Sequence, residues 1–309
     1  MQQKGEHTIV ATKSISEAIK VINKTVRQNS FSAIVGSTGL GKTTALEVGV
    51  GRLAEHENRY DVIEATAWTR NSNLTASLMA TMVRKLSSES PCRDIFARAI
   101  QLTRILKERK RAGRQIVLSV DECQDLSLDT MYGLKKMHEL GREGTPLFSI
   151  LMFGQPSMLK FADLKELRWR IAVHEMEGIS LSETSELLQA FGVTVKSDRA
   201  LNRIYQHSGS TPMGVQYISK IITKLSGDEE VVATEEMVNK AISGDLKNQV
   251  RSYGIANGEI ARTIFEKTGK QIDASTVSKA LSGTLAGMTA DMIRAETASM
   301  IRSKQQVAV

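Results

Sequence analysis

The chain has 309 residues, of which 41% are hydrophobic and 24% are charged, and this allows about two globular domains. No apolar run reaches the roughly 18 residues of a membrane span, and the first residues lack the apolar core of a secretion signal. The two cysteines, Cys92 and Cys123, are too few for a disulfide framework or a four-cysteine metal site. We therefore expect a cytoplasmic protein with no membrane segment.

The net charge of +7 is concentrated in one stretch of the sequence. Between Arg84 and Arg114 there are ten basic and three acidic residues, so this stretch carries the whole excess. A localised positive excess favours a polyanionic partner such as duplex DNA.

The first predicted element is an amphipathic helix over Ser14–Gln28, and Ser14 and Glu17 have the spacing of a capping box at its start. An apolar strand from Phe31 leads into a glycine-rich turn and then into a segment that favours a helix. The turn matches the phosphate-binding pattern G-x-x-x-x-G-K-[ST] in full. A chance glycine-rich turn is the other interpretation.

In this pattern the glycines let backbone N–H groups point at phosphate oxygens, and the helix N-terminus adds partial positive charge. Lys42 supplies a full charge, and the Thr43 hydroxyl is suited to binding Mg²⁺. We expect a nucleoside triphosphate to be held by nine residues: Gly36, Ser37, Thr38, Gly39, Leu40, Gly41, Lys42, Thr43 and Thr44.

A strand over Asp61–Ala65 and a helix over Leu74–Leu86 follow, and then a basic helix over about 93–112. Ile95, Ala99, Leu102 and Leu106 form its predicted buried stripe. The candidate DNA contacts recur at spacings of three and four on another face: Arg104, Lys107, Arg111 and Arg114. A solvated basic face with no partner is the alternative.

The run from Gln115 to Glu122 is typical of a buried strand that ends in two carboxylates, roughly 80 residues after the glycine-rich turn. Asp121 is the predicted second Mg²⁺ ligand, and Glu122 the base that deprotonates the attacking water. Two ordinary surface acids are the other interpretation.

A further strand, Phe148–Gly154, ends at Gln155, whose side chain could reach the γ-phosphate. Alternating strands and helices over this span predict an α/β fold with a parallel sheet flanked by helices. Beyond Glu177 we expect only helices, with a linker between Ser243 and Gly254. The predicted domains are a nucleotide-binding subdomain at 1–178, a small helical lid at 179–245 and a C-terminal helical domain at 246–309.

Together these motifs resemble the AAA+ ATPases, and more narrowly the group that holds MuB-type and TnsC-type transposition proteins and ExeA-type secretion ATPases. The resemblance covers roughly Ser14 to Ser243. It depends on the glycine-rich turn, on Val120–Leu126, on Gly154-Gln155-Pro156 and on the stretch from Leu167 to Ala172.

The resemblance implies catalytic roles beyond Glu122. Gln155 would be the sensor-1 residue, and Arg170 the arginine finger that reaches a neighbouring subunit, with Arg168 in reserve. Met213 stands where the group commonly has a sensor-2 arginine, so we expect slow ATP hydrolysis that DNA and oligomerisation stimulate.

The C-terminal region resembles a helix-turn-helix of the phage-repressor type, with helices over Glu259–Lys267 and Ala274–Leu281. In that resemblance four further residues would contact DNA: Ser275, Thr276, Ser278 and Lys279. A helical cap or a protein-docking domain is the alternative.

The leading hypothesis is an ATPase of a phage or mobile element, in a bacterial cytoplasm, that binds duplex DNA without sequence specificity. ATP would drive its assembly into a filament or ring, which delivers target DNA to a transposase and activates it. The alternatives are an assembly factor of a secretion system and an ATP-sensing helix-turn-helix regulator.

Overall fold

A computed structural model of the chain describes residues 10–67, 74–141, 145–162, 164–283, 285 and 287–307. The chain divides into two compact units, Met1–Gly178 and Ile179–Val309. The helices and strands of the first unit are, in order, α1 (Lys13–Gln28), β1 (Phe31–Val35), α2 (Lys42–Glu55), β2 (Tyr60–Thr66), α3 (Thr75–Leu86), α4 (Ile95–Arg111), β3 (Gln115–Asp121), α5 (Leu128–His138), β4 (Ser149–Gly154), α6 (Leu159–Ala162) and β5 (Ala172–Glu175).

The first unit is built on a parallel sheet whose strands lie in the order β2-β3-β4-β1-β5. Every residue of β1 and β4 is buried, as expected for central strands covered by helices on both faces. Alternate side chains serve opposite faces: Leu118 and Ile150 pack with α3, α4 and α5, whereas Val117 and Leu151 pack with α1 and α2. The predicted α/β fold, with a parallel sheet between helices, is confirmed.

The predicted capping box of α1 is wrong. The helix begins one residue earlier, and the Oγ1 of Thr12 accepts the capping hydrogen bond from the Ile15 N–H, at 3.3 Å. Ser14 lies inside the helix, where its Oγ accepts from the Glu177 N–H at 3.1 Å. Ser14 therefore links α1 to the segment after β5.

The predicted buried stripe of α4 is also partly wrong. Leu102, Ile105 and Leu106 are its buried residues, whereas Ile95 is exposed at the first turn. The basic helix therefore turns its N-terminal apolar side chains toward solvent.

The second unit contains α7 (Leu181–Ala190), β6 (Val193–Val195), α8 (Asp198–His207), α9 (Pro212–Ser226), β7 (Val231–Ala233), α10 (Glu235–Ser252), α11 (Asn257–Thr268), α12 (Ala274–Leu281) and α13 (Met288–Val307). The expectation of helices alone is wrong, because β6 and β7 pair in parallel. The expected linker is wrong as well, since α10 continues through residues 245 and 246 as far as Ser252. The division of this unit into a lid and a C-terminal domain stays a prediction.

Candidate functional site

The strand order brings the ends of three strands together. β4 lies between β1 and β3, with Val35 opposite Gly154 and Val120 opposite Met152. Because the strands are parallel, the residues that follow β1, β3 and β4 all leave the sheet at one edge. Ligands of open α/β sheets bind at such carboxyl ends.

The turn between β1 and α2 has a backbone that requires glycine. Gly39 and Gly41 have φ angles of 85° and 94°, a region that other residues rarely adopt. A Cβ atom at Gly41 would lie 2.8 Å from the Cδ1 of Ile15, and one at Gly36 would lie 3.1 Å from the Cβ of Met176. The glycines of the motif therefore fit both the turn and the tight packing around it.

Lys42 is the first residue of α2 and folds back over the turn. Its Nζ donates to the carbonyl oxygens of Gly36 and Ser37, at 2.7 and 3.0 Å. Burial lowers the pKa of Lys42, and the nearby carboxylates of Glu122 and Asp121 raise it in part. The ammonium group and both carboxylates thus share one part of the site.

The start of α2 offers backbone donors to an anion. The first helical hydrogen bond runs from the Ala45 N–H to the Gly41 carbonyl at 2.9 Å, so the N–H groups of Lys42, Thr43 and Thr44 precede any helical acceptor. These donors and the positive end of the helix dipole suit a phosphate group.

Asp121 and Glu122 differ in backbone and environment. Asp121 ends β3, and burial raises its pKa, although a hydrogen bond from the Glu122 N–H at 2.8 Å and the charge of Lys42 lower it in part. Glu122 has a φ of 54°, which is uncommon for a residue other than glycine. Such strained conformations cluster at functional sites.

Sequence reasoning missed Gln124, which lies in the turn after β3. Its side-chain amide nitrogen donates to the Glu122 carboxylate, and its side-chain oxygen accepts from the backbone N–H of Gln155 at 2.9 Å. A Cβ at Gly154 would come within 3.1 Å of that oxygen and 2.8 Å of the Met158 sulfur, so the end of β4 also needs glycine. Gln124 connects the ends of β3 and β4.

The residues after these strands include the ligands that Mg²⁺ prefers, a hydroxyl at Thr43 and a carboxylate at Asp121. Among the residues that the structure describes, no cluster of three or more His, Cys, Asp or Glu side chains forms a metal cage. Mg²⁺ commonly binds through one or two protein ligands together with substrate phosphates, so this sparse donor set fits that ion.

The two arginine-finger candidates lie just before β5 and are exposed. The guanidinium of Arg170 is 3.2 Å from the Glu139 carboxylate at the end of α5. Arg168 lies over the ring of Trp169, which is 84% exposed. Within the described part of the chain, neither side chain is hydrogen-bonded or ion-paired to the glycine-rich turn.

The four candidate DNA contacts of α4 have different partners. Arg104 pairs with Glu89 and Glu108, and Arg114 makes a two-pronged ion pair with Asp61. Lys107 and Arg111 have no acidic partner among the described residues, and both line a groove along the helix with Arg104. Lys107 and Arg111 are therefore the available cations of this surface.

The same helix exposes two apolar side chains, Phe96 at 78% and Ile100 at 73%. Both precede Arg104, Lys107 and Arg111 along the helix. The exposed surface of α4 thus changes from apolar to basic toward its C-terminus.

In the second unit, α11 and α12 pack together as a helix pair. Val277 and Leu281 are buried, while Ser275, Ser278 and Lys279 are exposed and Thr276 is half-buried. Asp273 caps α12, and hydrogen bonds from Thr276 and Ser275 lower its pKa to about 2. Met213 lies in the first turn of α9 and is half-exposed.

Comparisons with known proteins agree with this geometry. A family model described as "AAA domain" matches residues 25–161, which include the glycine-rich turn, Asp121, Glu122 and Gln155 but not Arg168 or Arg170. None of the curated proteins matches the chain. No helix among the described residues is long and apolar enough to span a bilayer.

Several solved structures share the fold. The ADP form of ORC2 from Aeropyrum pernix is 15% identical, with 97% of this chain and 88% of that chain covered and a TM-score of 0.52. Cdc6p from Pyrobaculum aerophilum is 13% identical over 97% of each chain, with a TM-score of 0.51. ORC1 from Aeropyrum pernix in complex with DNA is 13% identical over 96% of this chain and 84% of that chain, with a TM-score of 0.50.

At these sequence identities the solved structures show a shared fold and do not show a shared function. The family match and the site geometry identify the catalytic part of the chain, and ATPase activity, predicted from its motifs, is confirmed at this level. Residues 25–161 are similar to an AAA domain, and the chain is an ATPase with a phosphate-binding loop.

Proposed function

We propose that the protein is an ATP-dependent DNA-binding ATPase that assembles on duplex DNA, delivers this target DNA to a transposase and activates it. The observation that carries the ATP-dependent part is the meeting of Lys42, Asp121 and Glu122 at one edge of the sheet. A cation for the phosphates and two carboxylates with different environments are the parts that ATP hydrolysis needs.

Each residue of the site has a defined task in this proposal. The turn from Gly36 to Thr44 binds the phosphates through its N–H groups, and Lys42 neutralises them. Thr43 and Asp121 would hold Mg²⁺, which would supply further neutralisation of the charge that develops on the phosphates. Glu122 takes a proton from the attacking water as the bond to the γ-phosphate breaks, leaving ADP and phosphate.

Gln155 follows β4, between the strands that carry the phosphate loop and Glu122. Its side chain is the proposed sensor of the γ-phosphate. The hydrogen bond between its backbone and Gln124 supports this role, because the residue that orients Glu122 also holds Gln155.

DNA binding is proposed for the α4 surface. Lys107 and Arg111 are cations with no acidic partner in the described part of the chain, and phosphate contacts of this kind need no base readout. The proposed second contact is formed by four residues of α12: Ser275, Thr276, Ser278 and Lys279. ORC1, which shares the fold, is described in complex with DNA.

The proposals that the protein assembles with copies of itself and that it acts on a transposase depend on the motif resemblance. Arg170 is exposed, as a finger that acts on a neighbour's nucleotide must be. A transposase partner in a bacterial cytoplasm follows from the likeness of Val120–Leu126 and Gly154–Pro156 to the transposition group.

Electron microscopy of the protein with ATP, with and without duplex DNA, tests this function. We expect filaments or rings that form on DNA with ATP and that disperse when ATP is replaced by ADP. ATP-dependent assemblies that form equally well without DNA and do not bind it would contradict the DNA-binding role.

A further inference from the structure

The second unit contains a cavity of about 750 Å³ that the proposed function does not use. Helices α8, α10 and α13 form its walls, so it is built without any residue of the AAA domain. Its volume lies in the range of small-molecule sites, which is about 300–1,000 Å³.

Arginines dominate the charge of this cavity. The four that line it are Arg199, Arg203, Arg294 and Arg302. Asp291 is the one carboxylate in its lining, and three of the arginines share it: Arg203 at 2.6 Å, Arg294 at 3.3 Å and Arg199 at 3.4 Å. Arg302 has no ion pair among the described residues. One carboxylate thus faces four guanidinium groups.

Arg294 is the deepest of these cations, and only 8% of its surface is exposed. The backbone carbonyls of Ala280 and Leu285 hold its guanidinium, at 3.2 and 2.9 Å. Burial lowers the pKa of Arg294, the Asp291 carboxylate raises it in part, and the neighbouring charge of Arg203 lowers it. Arg294 shares its one carboxylate, Asp291, with Arg203 and Arg199, so a bound anion would add negative charge beside these clustered cations.

The other buried acid near the cavity does not offset this excess. Asp245 accepts hydrogen bonds from His207 at 2.7 Å, Tyr217 at 3.0 Å and Gln249 at 2.7 Å. Because three donors already surround it, its charge is satisfied away from the arginines.

The remaining wall of the cavity is mixed: Asn202, Gln206, His207, Ser210 and Asn239 make part of it polar, and another part is apolar or aromatic. The members of the apolar or aromatic part are Tyr205, Ile242, Leu246, Ala295 and Ala298. Clustered cations beside an apolar wall with one aromatic ring match a ligand that has a phosphate at one end and a flat ring at the other.

We propose that this cavity binds a nucleoside phosphate, with the arginines on the phosphate groups and the base against the apolar wall. It is a second nucleotide site, distinct from the phosphate loop of the AAA domain. This inference does not depend on DNA binding or transposition.

The test uses the full chain with Lys42→Ala, which removes the phosphate-loop cation, and calorimetric titration with ADP. We expect the remaining binding to weaken about tenfold or more when Arg302→Glu or Arg199→Glu is added, because each reversal removes a charge-assisted contact. Both arginines are exposed, so the fold should survive, and circular dichroism checks this. Lys220→Glu is the matched control, since it reverses an exposed charge of the same unit outside the cavity.

Four results would overturn the proposal. The first is that the Lys42→Ala protein binds no ADP, and the second is that Arg302→Glu and Arg199→Glu bind as tightly as the control. The third is pyrophosphate binding at the cavity as tightly as ADP, which would remove the base from the proposal. The fourth is that a short duplex displaces ADP and the loss follows the two arginines, because the ligand is then a DNA backbone and not a nucleotide.

Discussion

The side-chain oxygen of Gln124 accepts a hydrogen bond from the backbone N–H of Gln155 at 2.9 Å, although the two residues are far apart in sequence. The amide nitrogen of the same side chain donates to the Glu122 carboxylate. A movement of the loop after β4 would therefore be passed to the proposed base through one side chain. This connection depends on β3 and β4 being neighbours in the sheet.

Replacing Gln124 should slow hydrolysis without preventing ATP binding. We expect Gln124→Ala to lower kcat about tenfold, because the loss of one well-placed hydrogen bond in the transition state raises the activation free energy by an amount that corresponds to about that factor in rate. Gln124→Glu separates the two contacts, because it keeps an acceptor for Gln155 but repels Glu122. Steady-state kinetics and ADP titration measure both effects, and an unchanged kcat in Gln124→Ala would remove the residue from the mechanism.

Glu122→Gln keeps the shape of the side chain and removes its ability to take a proton. Turnover should fall by about 10²–10⁴-fold, the usual contribution of a general base. ATP binding should remain, and DNA-bound assemblies should last longer. The control is Asp125→Asn, an amide substitution in the same turn. Turnover near that of the wild type would exclude Glu122 as the base.

Arg170→Ala should leave ATP binding by the monomer intact and remove the stimulation of hydrolysis by assembly. Loss of an arginine finger lowers kcat by about 10³-fold or more. Glu139→Gln is the matched control, since it breaks the ion pair but leaves the finger in place. Mixing Arg170→Ala with Lys42→Ala protein should restore partial activity. Absence of rescue at every ratio would show that Arg170 does not act on a neighbour.

The proposed DNA surface predicts a change in salt dependence. Reversing Lys107 and Arg111 to Glu should weaken binding to every duplex alike and flatten the dependence of log affinity on log salt by about two units. Lys20 and Lys24 of α1 are exposed and supply the control, with the same two reversals elsewhere on the domain. If both pairs of reversals give the wild-type slope, DNA binds elsewhere.

His138 predicts that the first unit loses stability as the pH falls. Its ring lies between Phe31 and Phe148 and donates to the Asn29 carbonyl at 2.9 Å. Burial lowers the pKa of His138 from 6.5, although the bond to Asn29 raises it in part. As the pH falls through the ordinary histidine pKa, the imidazole therefore takes up a proton in the unfolded chain before it does so in the folded chain. The free energy of unfolding decreases over this range.

Urea titrations at about pH 7.5 and pH 5.5, either side of the ordinary histidine pKa, measure this effect. The pH dependence should be smaller in His138→Gln, whose amide can also donate to the Asn29 carbonyl. Equal dependence in both proteins would assign the effect to other groups.

The sequence predicted those parts of the site that depend on local patterns. The glycine-rich turn and the strand ending at Asp121 can each be read from a short stretch of neighbouring residues. The turn needs glycines before the helix, and the strand is an apolar run that ends in a carboxylate. α12 also has the predicted bounds, Ala274–Leu281. The roles assigned to Arg170 and Gln155 stay predictions.

What the sequence could not show depends on contacts between distant residues. Asp61 neutralises Arg114 because β2 and β3 are adjacent, and nothing within either segment indicates the pairing. The contact between Gln124 and Gln155 has the same origin. β6 and β7 were missed because each has only three residues, too few to show an alternating pattern.

The most direct test of the account is the affinity for a short duplex, measured by fluorescence anisotropy in the presence of ATP and then of ADP, with the Glu122→Gln protein to prevent turnover. The account predicts at least about tenfold tighter binding with ATP, and no nucleotide effect when Lys42→Ala is added. Equal affinity in both nucleotide states, or no binding to DNA, would contradict an ATP-dependent DNA-binding ATPase.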